Sequence, residues 1–228
     1  MIRRILVALL SLLVLVPLAA RADDDAQALV KSVTEQVLGV LRQDKGNRAG
    51  DQRRAIALIE SKVAPHFDFE RMTRLAVGRA WQQADARQRQ ALVAEFKTLL
   101  VRTYANSLTA YRNQTVSFKP APPAAAADEV TVRSQINQPG GQPIQIDYSL
   151  AKSAGGWKVF DVMVADVSLV TSYRGSFATE MDKGGIAGLL QALREKNRRL
   201  QETPTAAVPG GNREVRRLDS RTSNLDLV

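Results

Sequence analysis

Residues 114–164 read QTVSFKPAPPAAAADEVTVRSQINQPGGQPIQIDYSLAKSAGGWKVFDVMV, and this stretch decides the fold. Val116 and Phe118 alternate with Thr115, Ser117 and Lys119. Val130, Val132 and Ile136 alternate with Thr131, Arg133 and Gln135, and Ile144, Ile146, Tyr148 and Leu150 with Gln145, Asp147 and Ser149. A period of two marks strands with one buried face. Residues 157–164 are apolar on both faces and read as a central strand. Residues 120–128 form a loop, while Asn137-Gln138-Pro139-Gly140-Gly141 and Ala154-Gly155-Gly156 carry turn chemistry. Four strands in this order make an antiparallel meander with one greasy face.

On either side the period is helical. Val30, Val33, Val37 and Val40/Leu41 mark a first helix, with Asp23, Asp24 and Asp25 near the positive end of its dipole and Gly46, Asn47 and Gly50 as breakers. Ile56, Ile59 and Val63 mark a second, ending at Pro65. Asp68 is placed to cap a short helix carrying Phe69, Met72 and Ala76, which Gly78 stops. Asp85 and Gln88 open the longest helix as a capping box. Leu92, Phe96, Leu99/Leu100, Tyr104, Leu108 and Tyr111 line one side of it for about 19 residues, roughly 28 Å. Beyond the strands, Val170, Tyr173, Phe177 and Met181 form one helical stripe. Ile186, Leu189, Leu190 and Leu193 form another, after Gly184-Gly185. Helices, one contiguous sheet, then helices define an α+β domain with helices packed on one face of a curved sheet.

The chain has 228 residues, no cysteine and a single histidine. Disulfide scaffolds, cysteine-ligated zinc, cysteine nucleophiles and most histidine-based catalysis are excluded at once. At the N-terminus, Met1-Ile2-Arg3-Arg4 precedes an apolar run over residues 5–20 and an Ala20-Arg21-Ala22 cleavage signature, the pattern of a secretory signal peptide. The run is shorter than the roughly 20 residues needed to span a bilayer. The expected organisation is a signal peptide over residues 1–22, cleaved after Ala22, a domain over 23–200 and a disordered Pro/Gly/Arg-rich tail over 201–228. Loss of Arg3, Arg4 and Arg21 lowers the formal charge from +9 to +6. Export, and the absence of basic blocks interleaved with aromatics, argue against a nucleic-acid partner.

No nucleophile elbow, zinc-protease helix, P-loop or dinucleotide fingerprint is present. His66 has no second histidine or cysteine to join it as a metal ligand. Asp147 alternates outward with Gln145 and Ser149 and is expected in solvent. Asp161, on the doubly apolar strand, is expected to pair with Arg174 or Lys158 or to cap backbone amides, with an acid/base role as the alternative. The apolar stripes of the helices and the greasy sheet face converge on one space. Modest side chains there, with aromatics only 5% of the chain, can leave a cavity.

Gly156-Trp157-Lys158-Val159-Phe160-Asp161-Val162, Val167-Ser168-Leu169-Val170, Tyr173-Arg174 and Phe177 resemble the signature of the MlaC/toluene-tolerance family. Phe67-x-Phe69-x-x-Met72, Gly78-x-x-Trp81, Phe96 and Leu99-Leu100-x-x-x-Tyr104 extend the resemblance over about residues 26–200. One departure stands out: the family's acidic residue and Gly before Val-Ser-Leu are here Ala165-Asp166. The resemblance implies a nuclear-transport-factor-like α+β fold, with an apolar pocket for acyl tails between a sheet of about four strands and the helices. It implies a periplasmic phospholipid carrier, not an enzyme and without cofactor or metal. Its partners would be an inner-membrane ABC transporter, met through its MCE-domain subunit, and an outer-membrane lipoprotein complex. Expected tail contacts are Trp81, Phe96, Leu99, Leu100, Tyr104, Leu108, Ile146, Tyr148, Val162, Val164, Tyr173 and Phe177, with Val159 and Asp161 replacing Val162 and Val164 if the strand faces the other way. The carrier is expected to be monomeric and weakly headgroup-selective. A small-molecule enzyme using Asp161 and a ligand-free periplasmic adaptor remain as rival readings.

Overall fold

The computed structural model describes residues 19–43, 52–109, 113–120 and 128–202. The described residues form an α+β domain. Helix α1 (Ala19–Gln43) leads to α2 (Gln52–Leu58), which tightens through a π-turn (Ile59–Val63) and a 3-10 turn (Ala64–His66). Helix α3 (Phe69–Val77), a 3-10 segment (Gly78–Gln83) and α4 (Ala86–Thr109) precede the sheet. Strands β1 (Thr115–Lys119), β2 (Glu129–Asn137), β3 (Ile144–Ser153), β4 (Gly156–Val164) and β5 (Val167–Ser168) are followed by α5 (Leu169–Glu202). The breaker run at Gly46–Gly50, the 121–127 part of the loop, Tyr111 and most of the expected tail lie outside the described residues.

The helix signals act as read. Asp68 Oδ1 accepts from the Arg71 amide at 2.9 Å and starts α3. Asp85 and Gln88 exchange side-chain-to-amide bonds of 3.0 and 2.7 Å ahead of α4. Helix α5 is two helices meeting at Gly184-Gly185, where Gly185 has φ 60° and ψ −156°. Helix α1 differs from expectation. It already includes Ala19 to Ala22, so the three aspartates lie within the helix rather than at its start.

Gly78 ends α3 at φ 68° and ψ −137°, a conformation open essentially to glycine alone. A Cβ there would meet nothing within 4 Å, so only backbone strain opposes a side chain. Gly78→Ala should therefore cost about 2 kcal/mol in urea unfolding, with no change in secondary structure.

The sheet is an antiparallel meander in the order β1-β2-β3-β4-β5. The short β5 adds a strand to the four expected from alternation. It is reached by a two-residue turn in which Ala165 and Asp166 both adopt positive φ, 48° and 65°, and Val164 pairs with Val167. That is the backbone of a tight primed hairpin, made without the glycine that usually supplies it.

Strand β4 resolves why its sequence looks apolar on both faces. Val159 pairs with Leu150, but Asp161 pairs with Ser149 and Val162 with Tyr148, so Phe160 is the extra residue of a bulge. The bulge puts Val159, Val162 and Val164 on one face and Asp161 on the other. The two alternative facings of this strand are thereby merged. Phe160 lies under the Arg71 guanidinium, 3.5 Å from ring centroid to Cζ. Along the free edge of β4, Phe67 bridges Val159, and the Asp68 amide donates to the Val159 carbonyl at 2.8 Å.

Candidate functional site

The apolar side chains of the described residues do not form one core. Helices α3, α4 and both halves of α5 enclose the first cluster, around Met72, Leu92, Phe96, Phe177 and Leu189. The second lies on the sheet, where Ala26 and Val30 of α1 cover Val130, Val132, Leu150, Trp157 and Val159. Phe67 packs against both. A small domain ordinarily has one contiguous core, so two clusters bridged at a single ring leave apolar surface between layers unclaimed.

Strand register identifies that surface. Val132, Tyr148 and Val162 form one row across the sheet. The next row is Phe118, Ser134, Ile146 and Val164, and the row beyond it is Val116, Ile136 and Ile144. Helix α1 buries the Val130–Leu150–Val159 end of the face. The other end stays half-buried: Ile136, Ile144, Ile146, Val162 and Val164 all keep accessible area. Of these only Val162 packs against a cluster among the described residues.

Three tyrosines belong to these apolar surfaces: Tyr173 packs against the helical cluster, Tyr148 against the sheet cluster, and Tyr104 lies on the α4 stripe. Burial raises the phenol pKa of Tyr104, Tyr148 and Tyr173 above 10.0; Tyr173 adds to the rise at Tyr104, while hydrogen bonds to Ser134 and Thr103 partly offset it at Tyr148 and Tyr173. Yet all three keep accessible surface, Tyr104 as much as 36%. Because folding raises these pKa values, the folded state holds more protons above pH 10. The stabilisation is complete below pH 10 and is lost as pH rises beyond it. Ultraviolet titration of the four tyrosines should show no more than one ionising near pH 10 before the protein unfolds. Ionisation of three or four at that pH would contradict the arrangement.

The residues expected to touch a ligand fall into two groups. Trp81, Phe96, Leu99, Leu100 and Phe177 are buried in the helical cluster, with Tyr173 packed against it. Phe96 meets Tyr173 and Phe177 edge-on, each at 5.1 Å between centroids. Ile146, Tyr148, Val162 and Val164 sit half-buried on the sheet, and Tyr104 and Leu108 occupy the last turns of α4. Ile136 and Ile144 join this surface without having been expected as site residues. Their place in the same alternating face is the signal that could have found them.

The polar candidates are structural. Asp161 accepts from the amides of Val162 (2.8 Å) and Val170 (3.1 Å) and from the Ser168 hydroxyl (2.6 Å). Ser168 in turn accepts from the Thr171 amide at 3.0 Å, so the two residues together cap α5. Of the two kinds of partner expected for Asp161, the capped amides are present and the basic side chain is not. Arg174 donates to the Leu75 carbonyl at 3.2 and 3.0 Å, and Lys158 to the Pro65 carbonyl at 2.5 Å.

Asp147 corrects another expectation. It points outward as read, but it is only 6% exposed rather than solvated. Arg133 and Gln145 donate to its Oδ2 at 3.2 and 3.3 Å, and long neighbours in mid-sheet cover a short side chain. Burial, then Lys158, lower the pKa of His66. Among the described residues no group of three His, Cys, Asp or Glu side chains could hold a metal, and no helix is long and apolar enough to cross a membrane.

Fold and site together define an α+β protein whose sheet keeps a half-buried apolar face, with no assembled catalytic set among its described residues. The model of the MlaC protein family matches residues 31–195, and the chain belongs to that family. It is 25% identical over 185 residues to the toluene tolerance protein ttg2D of Pseudomonas putida, across 81% of this chain and 84% of that one. It is 22% identical over 184 residues to the intermembrane phospholipid transport system binding protein MlaC of Haemophilus influenzae, across 79% and 86%. The structure of a phospholipid-binding protein from Ralstonia solanacearum in complex with a phospholipid superposes with a TM-score of 0.72 at 41% identity, covering 78% of this chain and 99% of that one.

Proposed function

We propose that this chain is a periplasmic phospholipid carrier, exported by a signal peptide that is cleaved after Ala22. It acts without chemistry and without a cofactor, as a monomer. The observation that carries this reading is the split core, with its half-buried apolar rows between sheet and helices. The 41% identical relative bound to a phospholipid supports it independently. Acyl tails lie against Ile146, Tyr148, Val162, Val164, Tyr104, Leu108 and Tyr173. Trp81, Phe96, Leu99, Leu100 and Phe177 form the wall behind them.

The physics requires little more. Moving acyl tails through water costs about 0.8 kcal/mol per methylene, which no unaided phospholipid meets at a useful rate. A surface as apolar as the bilayer interior makes the exchange nearly neutral, because lipid tails are themselves hydrocarbon. The carrier therefore lowers the aqueous barrier, while direction is set by its partners. These are an inner-membrane ABC transporter, engaged through its MCE-domain subunit, and an outer-membrane lipoprotein complex, in a cycle that maintains outer-membrane lipid asymmetry. The hydrogen bonds Asp161 accepts from the Val162 and Val170 amides and the Ser168 hydroxyl support a structural role for it over the acid/base role of the enzyme reading.

The test is transfer. Exported, delipidated protein is mixed with vesicles holding a fluorescent phospholipid and then separated by size. Label co-eluting with the protein is the expected result. Vesicle-retained label at every protein concentration would refute the reading.

A further inference from the structure

The apolar surface carries one polar feature that tail binding alone does not use. Tyr104 continues the α4 stripe two turns past Phe96 and is 36% exposed. Its hydroxyl has no hydrogen-bond partner among the described residues. It is also the most exposed of Tyr104, Tyr148 and Tyr173, the other two being half-buried. Tyr104 is thus an open donor on the apolar stripe of α4.

The chemistry around it limits what it can meet. The adjacent cation, Arg102, is turned to α5, donating to the Asn197 carbonyl at 2.5 Å and to Gln201 at 3.3 Å. Tyr104 itself has its pKa raised, so its hydroxyl is neutral and protonated at any physiological pH. A neutral donor suits a neutral acceptor, whereas a phosphate is held best by a cation, and Arg102 is committed to α5. In a phospholipid the neutral acceptors are the acyl-ester carbonyls, which sit between the tails and the phosphate. Tyrosine favours that kind of boundary, with its ring in hydrocarbon and its hydroxyl at the polar side.

We infer that the Tyr104 hydroxyl donates a hydrogen bond to an acyl-ester carbonyl of the bound phospholipid, making Tyr104 a specificity-determining residue that favours ester-linked over ether-linked lipids. This rests on the carrier reading above. It sets the depth at which the lipid sits and leaves the headgroup free.

The test compares uptake of dioleoyl phosphatidylcholine with that of the matched di-O-oleyl ether lipid, each from vesicles of that lipid alone. Wild-type and Tyr104→Phe full-length protein are exported and delipidated in parallel, with a thermal melt to confirm equal folding. Wild type should favour the diester about fivefold, the effect of one hydrogen bond of ordinary strength. Tyr104→Phe should lose that preference, bringing the ratio of diester to diether uptake down to about one. Equal uptake of the two lipids by wild type overturns the inference and leaves the carrier reading intact. Equal weakening of both lipids by Tyr104→Phe also overturns it, because a phosphate contact is common to both. Uptake of neither lipid by wild type overturns the carrier reading itself.

Discussion

Ile146→Asp is expected to abolish phospholipid uptake while leaving a folded protein. Ile146 pairs with Val164 on the sheet's apolar face and remains half-buried, packed in neither hydrophobic cluster. In the lipid-free protein a carboxylate there is reached by water and costs little. Once tails fill the space it must lose that water against hydrocarbon, at a cost of about 3 kcal/mol or more, or roughly a hundredfold in affinity. Leu150, four residues along the same face, supplies the contrast. It is fully buried in the sheet cluster beneath α1, so Leu150→Ala should lose about 3 kcal/mol of stability as a cavity opens. Labelled-lipid uptake and thermal melts on both variants separate the two roles. An Ile146→Asp protein that takes up lipid as wild type does would remove this face from the site.

Asp161→Ala should give the opposite pattern, a large loss of stability with lipid uptake retained. Three hydrogen bonds disappear together: those to the Val162 and Val170 amides, and that to the Ser168 hydroxyl which itself caps Thr171. Bonds to an ionised acceptor are the stronger kind, and the partly buried amides left behind find no replacement. The resulting loss is about 3 kcal/mol, lowering Tm by roughly 10 °C. Uptake measured well below the new Tm should match wild type. Stability unchanged with uptake or turnover lost would instead make Asp161 a working group, as the enzyme reading requires.

What the sequence made legible was facing, and what it hid was distance. Alternation in residues 114–164 identifies four strands and their greasy face, and Asp68, Asp85 with Gln88, and Gly184-Gly185 mark helix boundaries that the backbone confirms. Those signals are local, written in adjacent residues. The bulge at Phe160 is harder to read, because its mark is the odd spacing of Lys158 and Asp161, which share the outward face three residues apart, and strict alternation has no place for it. Asp147 does point outward, yet it is buried, because outwardness is a direction and burial depends on how far Arg133 and Gln145 reach over it. The expected contact set mixes two kinds of residue for the same reason. Phe96 and Ile146 carry identical apolar signals, but one is fully enclosed and the other borders open space. Periodicity cannot register a gap between two layers.

If this surface holds a phospholipid, the lipid travels with the protein through purification. Native mass spectrometry of the protein purified from its own periplasm, combined with lipid extraction, tests it most directly. A mature chain beginning at Asp23 is expected, carrying an adduct of phospholipid mass that extraction releases as phosphatidylethanolamine or phosphatidylglycerol. A bare protein that also takes up no phospholipid from vesicles would contradict it.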